Sequence, residues 1–137
     1  LSIGGRSVEL TKKPFSVRRA VYGFIDRQNI PNLLRTFDFS NPNIHTPLRP
    51  ETTVPQQALF ALNDPFVVAR AETLSRSSKA QTPEGSARSL YRLILSRDPS
   101  PQDLAVATSF LGKEASAAKL ADLAQALLVS NEFFFVD

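Results

Sequence analysis

The chain has 137 residues, 42% of them hydrophobic and 21% charged, with a formal charge of +3, one histidine and no cysteine. That composition fits one ordinary globular domain, or an excised piece of a larger one, and is large enough to bury a core. It excludes disulfides, thiolate metal sites and covalent haem attachment in this chain, and no run approaches the length of a membrane-spanning helix.

The charge is uneven. Residues 1–50 carry Arg6, Lys12, Lys13, Arg18, Arg19, Arg27, Arg35 and Arg49 against Glu9, Asp26 and Asp38, a balance of +5, while the remainder balances at −2. A basic half of this kind suits an acidic polymer, an acidic neighbouring surface in a longer parent chain, or a plainly solvated face. Absence of methionine and a start at Leu1 are expected of a processed or excised segment.

From the N-terminus, Leu1–Lys13 is Gly-rich and then alternates briefly at Ser7–Leu10. Val17–Ile25 is rich in β-branched and aromatic residues, which favours two short strands joined as a hairpin around Thr11–Ser16. Helix over Val17–Arg27 is the alternative. Pro31 is placed to open a short helix to Thr36. Phe37–Glu51 contains Pro42, Pro47 and Pro50 and reads as a Pro-rich ordered loop, packed by its own Phe37, Phe39, Ile44 and Leu48 or retained for function. Residues 1–51 together form a basic hairpin-and-loop region.

Residues 52–78 hold a central kinked helix. Thr53 and Gln56 have capping-box spacing, and Ala58, Leu59, Leu62 and Phe66 are expected on one buried face. Asp64-Pro65 predicts a kink or a restart, with Asp64 as cap and Pro65 at the first helical position. Val67, Ala71 and Leu74 extend the stripe, and the polar run Ser75–Gln81 reads as a linker. Three helices then fill residues 82–137. The first starts at Thr82-Pro83 and buries Ala87, Leu90, Tyr91, Ile94 and Leu95. Arg97-Asp98-Pro99 stops it, and Ser100-Pro101-Gln102-Asp103 starts the second, with Leu104, Ala107 and Leu111 inward and Gly112 at its end. The third begins near Ser116 and aligns Leu120, Leu123, Ala124, Leu127 and Leu128. At least two of Phe133, Phe134 and Phe135 are expected to be packed. The fold class is mainly α: a small helical bundle with the short N-terminal hairpin and the Pro-rich loop.

Several of these stretches together resemble one family. Arg18–Tyr22, Phe37-Asp38, Thr52–Leu59, Leu62–Phe66 and Ser130–Phe133 are similar, in wording and order, to the C-terminal part of the planctomycete-specific domain of unknown function that accompanies planctomycete-type cytochrome c domains. The resemblance runs from about Gly4 to Asp137. It implies a tail of a longer domain, an exported location at the periplasm or cell surface, and haem c held by a separate domain of the parent, with no cofactor here. It supplies no catalytic residues. A narrower similarity covers residues 90–133: LYRLILSRDPSPQDLA and LLVSNEF look like the helical repeat of secreted bacterial surface proteins, with Ser96 where that repeat has Gly.

Chemistry is sparse. His45 is the single histidine, so neither a His-pair metal site nor a His-anchored zinc cluster can be built around it, and no nucleophile-bearing turn surrounds any serine. Asp38, Ser40, Asn41 and Asn43 lack the acids, central Gly and terminal Glu of a calcium loop. Gly4–Ser7 lacks the ending of a phosphate loop, and nothing in the sequence spaces Asp26 and Asp38 as a carboxylate pair. The residues singled out form a polar network, Arg18, Arg19, Asp38 and Arg49, in which Asp38 pairs with one of the arginines. Aromatics Tyr22, Phe24, Phe37 and Phe39 lie among the basic residues, as in base-stacking sites, but fit core positions equally well, so nucleic acid is a disfavoured partner. The sequence thus favours a non-catalytic structural or binding module whose partner is the remainder of its parent chain. Two alternatives stand beside it: Arg and Asp side chains completing an upstream active site that acts on complex carbohydrate, and binding of an acidic polymer.

Overall fold

A computed structural model describes residues 5–45, 47 and 55–134. Among these residues the regular structure is helical, in the order α1 (Asn32–Thr36), α2 (Pro55–Asn63), α3 (Pro65–Ser78), α4 (Pro83–Leu95), α5 (Pro101–Leu111), α6 (Ala117–Leu128) and α7 (Asn131–Phe134). The chain divides into two compact units, Leu1–Gln57 and Ala58–Asp137.

The first unit departs from the expected hairpin. Its only extended pairing among the described residues is an isolated parallel bridge between Val8 and Gly23, closed by Val8 N–H to Tyr22 O (3.0 Å) and Phe24 N–H to Val8 O (2.8 Å). A hairpin requires antiparallel strands, so neither it nor a helix over Val17–Arg27 forms. The chain instead makes one 3-10 turn, Ala20–Tyr22, in which Tyr22 and Gly23 donate to the carbonyls of Arg19 and Ala20. Gly23 makes a close approach: a Cβ there would lie 2.3 Å from Leu10 Cδ1, so Leu10 would have to shift. Pro31 caps α1 rather than opening it, since its carbonyl accepts from Leu34 and Arg35 while its ψ of 141° is extended. In the following loop Phe37 is half-buried, while Phe39 and Ile44 are exposed. Leu48, Arg49 and the Thr53–Gln56 capping box lie outside the described residues and side chains.

The second unit is a bundle with a core of its own. The restart at Asp64-Pro65 is present: Asp64 Oδ1 accepts from Phe66 N–H at 2.8 Å, and Pro65 occupies the first turn of α3, where no N–H is needed. Because the break resets the helical phase, the apolar stripe does not continue through it. Ala58, Leu59 and Leu62 are exposed and Ala61 is buried in their place. The polar run after Leu74 is not a linker in its first half, because α3 continues to Ser78 and buries Ser75 and Ser78. Their hydroxyls donate to the carbonyls of Glu72 (2.8 Å) and Ser75 (3.1 Å), so both fit inside without an unmet donor.

α3 packs most extensively along α6, and α4 touches α3, α5 and α6. The core comprises Ala71 of α3, Ala87, Leu90, Tyr91 and Ile94 of α4, Ala107 and Leu111 of α5, and Leu120, Leu123, Ala124 and Leu127 of α6. Full burial of each leucine contributes about 1.5–3 kcal/mol. Caps fix the helix ends: Thr82 Oγ1 accepts from Gly85 N–H, and Ser116 Oγ from Lys119 N–H. Ser100 and Asp103 form a reciprocal capping box on α5. Phe133 and Phe134 meet edge to face at 5.9 Å but stay exposed, contrary to the expectation that at least two terminal phenylalanines are packed. α7 lies against α4 and α6, and a polar contact of Glu132 ties it to Arg97.

Candidate functional site

The residues singled out from sequence occupy different roles in the first unit. Arg18 works internally: its Nη1 donates to Arg6 O at 2.7 Å, and its guanidinium sits 4.3 Å from the centre of the Tyr22 ring, a cation–π stack. Its neighbour Arg19 is exposed at the N-cap of the 3-10 turn. Asp38 is half-buried just after α1, with a left-handed φ of 54° that Asp tolerates better than most residues. Arg49 lies outside the described residues. His45 is exposed. Asn41 Oδ1 accepts from Asn43 N–H at 3.0 Å, and Asn43 Nδ2 donates to Arg27 O at 3.3 Å, so these side chains satisfy turn backbone. Among the described residues no group of three His, Cys, Asp or Glu is placed to hold a metal ion.

A dense polar constellation lies in the second unit, at residues that no spacing argument singled out as a site. Arg97, just beyond the left-handed residue Ser96 (φ 57°) at the end of α4, sends Nη1 to Asp103 Oδ2 at 2.9 Å and Nη2 to Glu132 Oε2 at 2.8 Å. Its Nε donates to Glu132 Oε1, which makes the Arg97–Glu132 pair bidentate. Nη1 also reaches Asp98 O at 3.0 Å, and the guanidinium lies 5.4 Å from the Tyr91 ring centre. Beside it, Arg92 Nε holds Asp98 Oδ1 at 2.6 Å. Hydrogen bonds to Arg97 hold both the Glu132 and Asp103 carboxyls below the usual carboxylate range, the second aided by the Ser100 backbone. Those same bonds, first to Glu132 and then to Asp103, raise Arg97. Burial, with the Asp103 charge next, pushes the Tyr91 phenol up. These shifts favour the ionised carboxylates and guanidinium and the neutral phenol. The arrangement clamps the chain between α4, α5 and α7.

A signal for this clamp was present in the sequence. Tyr91, Arg97, Asp98 and Glu132 lie in the two stretches that look like the surface-protein repeat, separated along the chain and gathered here around one guanidinium.

The profile of the PSD1 family, proteins of unknown function (DUF1553), matches residues 2–111. The chain belongs to the PSD1 family. The match takes in α1 to α5 and ends at Leu111, the last residue of α5, so Arg97 and Asp103 lie inside it and Glu132 beyond it. Neither a curated protein nor a solved structure matches the chain. Among the described residues no helix is long and apolar enough to cross a membrane.

Proposed function

We propose that this PSD1 chain is a non-catalytic structural module that docks through its first unit onto the remainder of a longer, exported parent protein. One observation carries the reading. The second unit closes a core of its own, whereas none of the described residues of the first unit is buried and several of its large apolar side chains, Val17, Val21, Phe24 and Ile44, are exposed. Uncovered apolar side chains in a unit with no buried residue among those described support an interaction surface there. The excess of basic side chains in the same unit gives the contact its sign, toward an acidic surface. Export and a haem c domain elsewhere in the parent follow from the family resemblance and belong to this proposal.

The test is a deletion in the full-length parent protein. Removing residues 1–57 should lower its melting temperature and its soluble yield, through loss of the docked contact. Unchanged melting and unchanged yield would overturn the docking role.

A further inference from the structure

The docking role leaves open where contact is made and what chemistry meets it; the inference here rests on that role. The adjacent arginines of the first unit divide their labour. Arg18 is spent on the fold, through the Arg6 carbonyl and the Tyr22 ring, while Arg19 faces solvent. Arg19 is flanked by Val17 and Val21, which are 81% and 77% exposed, the two most exposed of the large hydrophobic residues described. The backbone beneath them is fixed. Ser16 Oγ accepts from Arg18 N–H at 3.1 Å, the 3-10 turn closes on Arg19 and Ala20, and the Val8–Gly23 bridge locks the far end. A fixed loop loses little conformational freedom on binding. Elsewhere in the unit Arg6, Lys12, Lys13, Arg27 and Arg35 are exposed as well, against exposed Glu9 and Asp26, and Glu9 is engaged by Lys12 at 3.8 Å.

We infer that the Val17–Val21 turn is the docking tip, and that it seats in an apolar cleft rimmed by carboxylates on the remainder of the parent polypeptide. The two valines separate this from polyanion binding. A sulfated or phosphorylated polymer is held by cations at exposed sites and gains nothing from two aliphatic side chains, whereas a protein cleft gains from burying them while a rim carboxylate meets Arg19.

Zero-length carbodiimide crosslinking of the full-length parent carrying Arg19→Lys tests this, because the reagent joins an amine to a carboxylate in direct contact. The expected product is an amide between residue 19 and an Asp or Glu outside residues 1–137. Adding Val17→Ser and Val21→Ser should reduce its yield roughly tenfold. Crosslinks to the outside from Lys12 or Lys13 but none from residue 19 would overturn the tip and leave the docking role standing. No crosslink to the outside from any lysine of the unit would overturn both. A residue-19 crosslink that is unchanged by the valine substitutions, or abolished by added heparin, would overturn the apolar cleft in favour of simple charge attraction. Unchanged exchange protection of the Val8 and Phe24 amides in each variant shows that the bridge beneath the tip is intact.

Discussion

Glu132, in the last helical turn of the described chain, takes two hydrogen bonds from Arg97, a residue 35 positions earlier that lies just past the end of α4. A fork-to-fork pair of this kind fixes orientation as well as distance. It explains how a one-turn helix without a buried apolar face stays in place.

Glu132→Gln keeps the shape but removes the charge and one acceptor. Its expected effect is local: amide exchange in Asn131–Phe134 should rise several-fold while protection in α3 and α6 is unchanged. Arg97→Ala should act more widely, because it also frees Asp103 and uncovers the Tyr91 ring. Native-state hydrogen exchange of both variants separates the two patterns.

The same cluster sets a pH dependence. The folded state lowers the Asp103 and Glu132 carboxyls from ordinary values of 3.8 and 4.5. Groups of that kind stabilise the fold fully above their unfolded values, and the contribution is lost as pH falls through the folded ones. Urea midpoints should therefore be flat from pH 7 to about 5 and decline below that, through and under the usual carboxylate range. In Asp103→Asn/Glu132→Gln the decline should be shallower.

Two leucines three residues apart on α4 should respond very differently in size. Leu90 is 0% exposed and Leu93 is 52% exposed. Leu90→Ala should cost about 2–5 kcal/mol through lost burial and a residual cavity, and Leu93→Ala about 0.5 kcal/mol or less. Denaturant unfolding followed by far-ultraviolet circular dichroism measures both.

Ser96 holds a left-handed backbone, φ 57°, that a side chain disfavours. Ser96→Gly should raise stability by about 1 kcal/mol, the penalty for a Cβ in that region. Ser100→Ala should lower it by about 1 kcal/mol, through loss of the hydroxyl that accepts from Asp103 N–H at 3.1 Å. A paired measurement of the urea midpoint gives both signs in one experiment.

At Gly23 the expected loss has a built-in control. Gly23→Ala places a methyl group within 2.4 Å of Leu10 Cδ1 and Cγ, so the bridge to Val8 must open or Leu10 must move. Exchange at the Val8 and Phe24 amides should speed up, and Leu10→Ala in the same chain should restore most of the protection by making room.

Helix starts were legible because their chemistry is local. Asp64-Pro65, Thr82-Pro83 and Ser100-Pro101 each combine an oxygen acceptor with a residue that lacks an N–H, and α3, α4 and α5 begin at those prolines. The stripes of α4 and α6 were legible for a similar reason: one unbroken helix keeps its phase, so Leu90, Tyr91 and Ile94, or Leu120, Leu123 and Leu127, must share a side. Phase fails at a restart, which is why Leu59 and Leu62 were misplaced. Composition misleads where a polar side chain satisfies itself, as Ser75 and Ser78 do on their own helix. It misleads again where β-branched residues lie on a turn, as Val21 does, or in irregular chain, as Val17 does.

What the sequence determined unaided was the family, by likeness of wording, and the helical class and punctuation of the second half, which follow from interactions within a few residues of one another. Which side chains meet across the fold was decided by tertiary structure alone. Arg97 with Glu132, Gly23 against Leu10 and the inward Arg18 beside an outward Arg19 depend on backbone paths that return from many residues away, and no local spacing encodes that return.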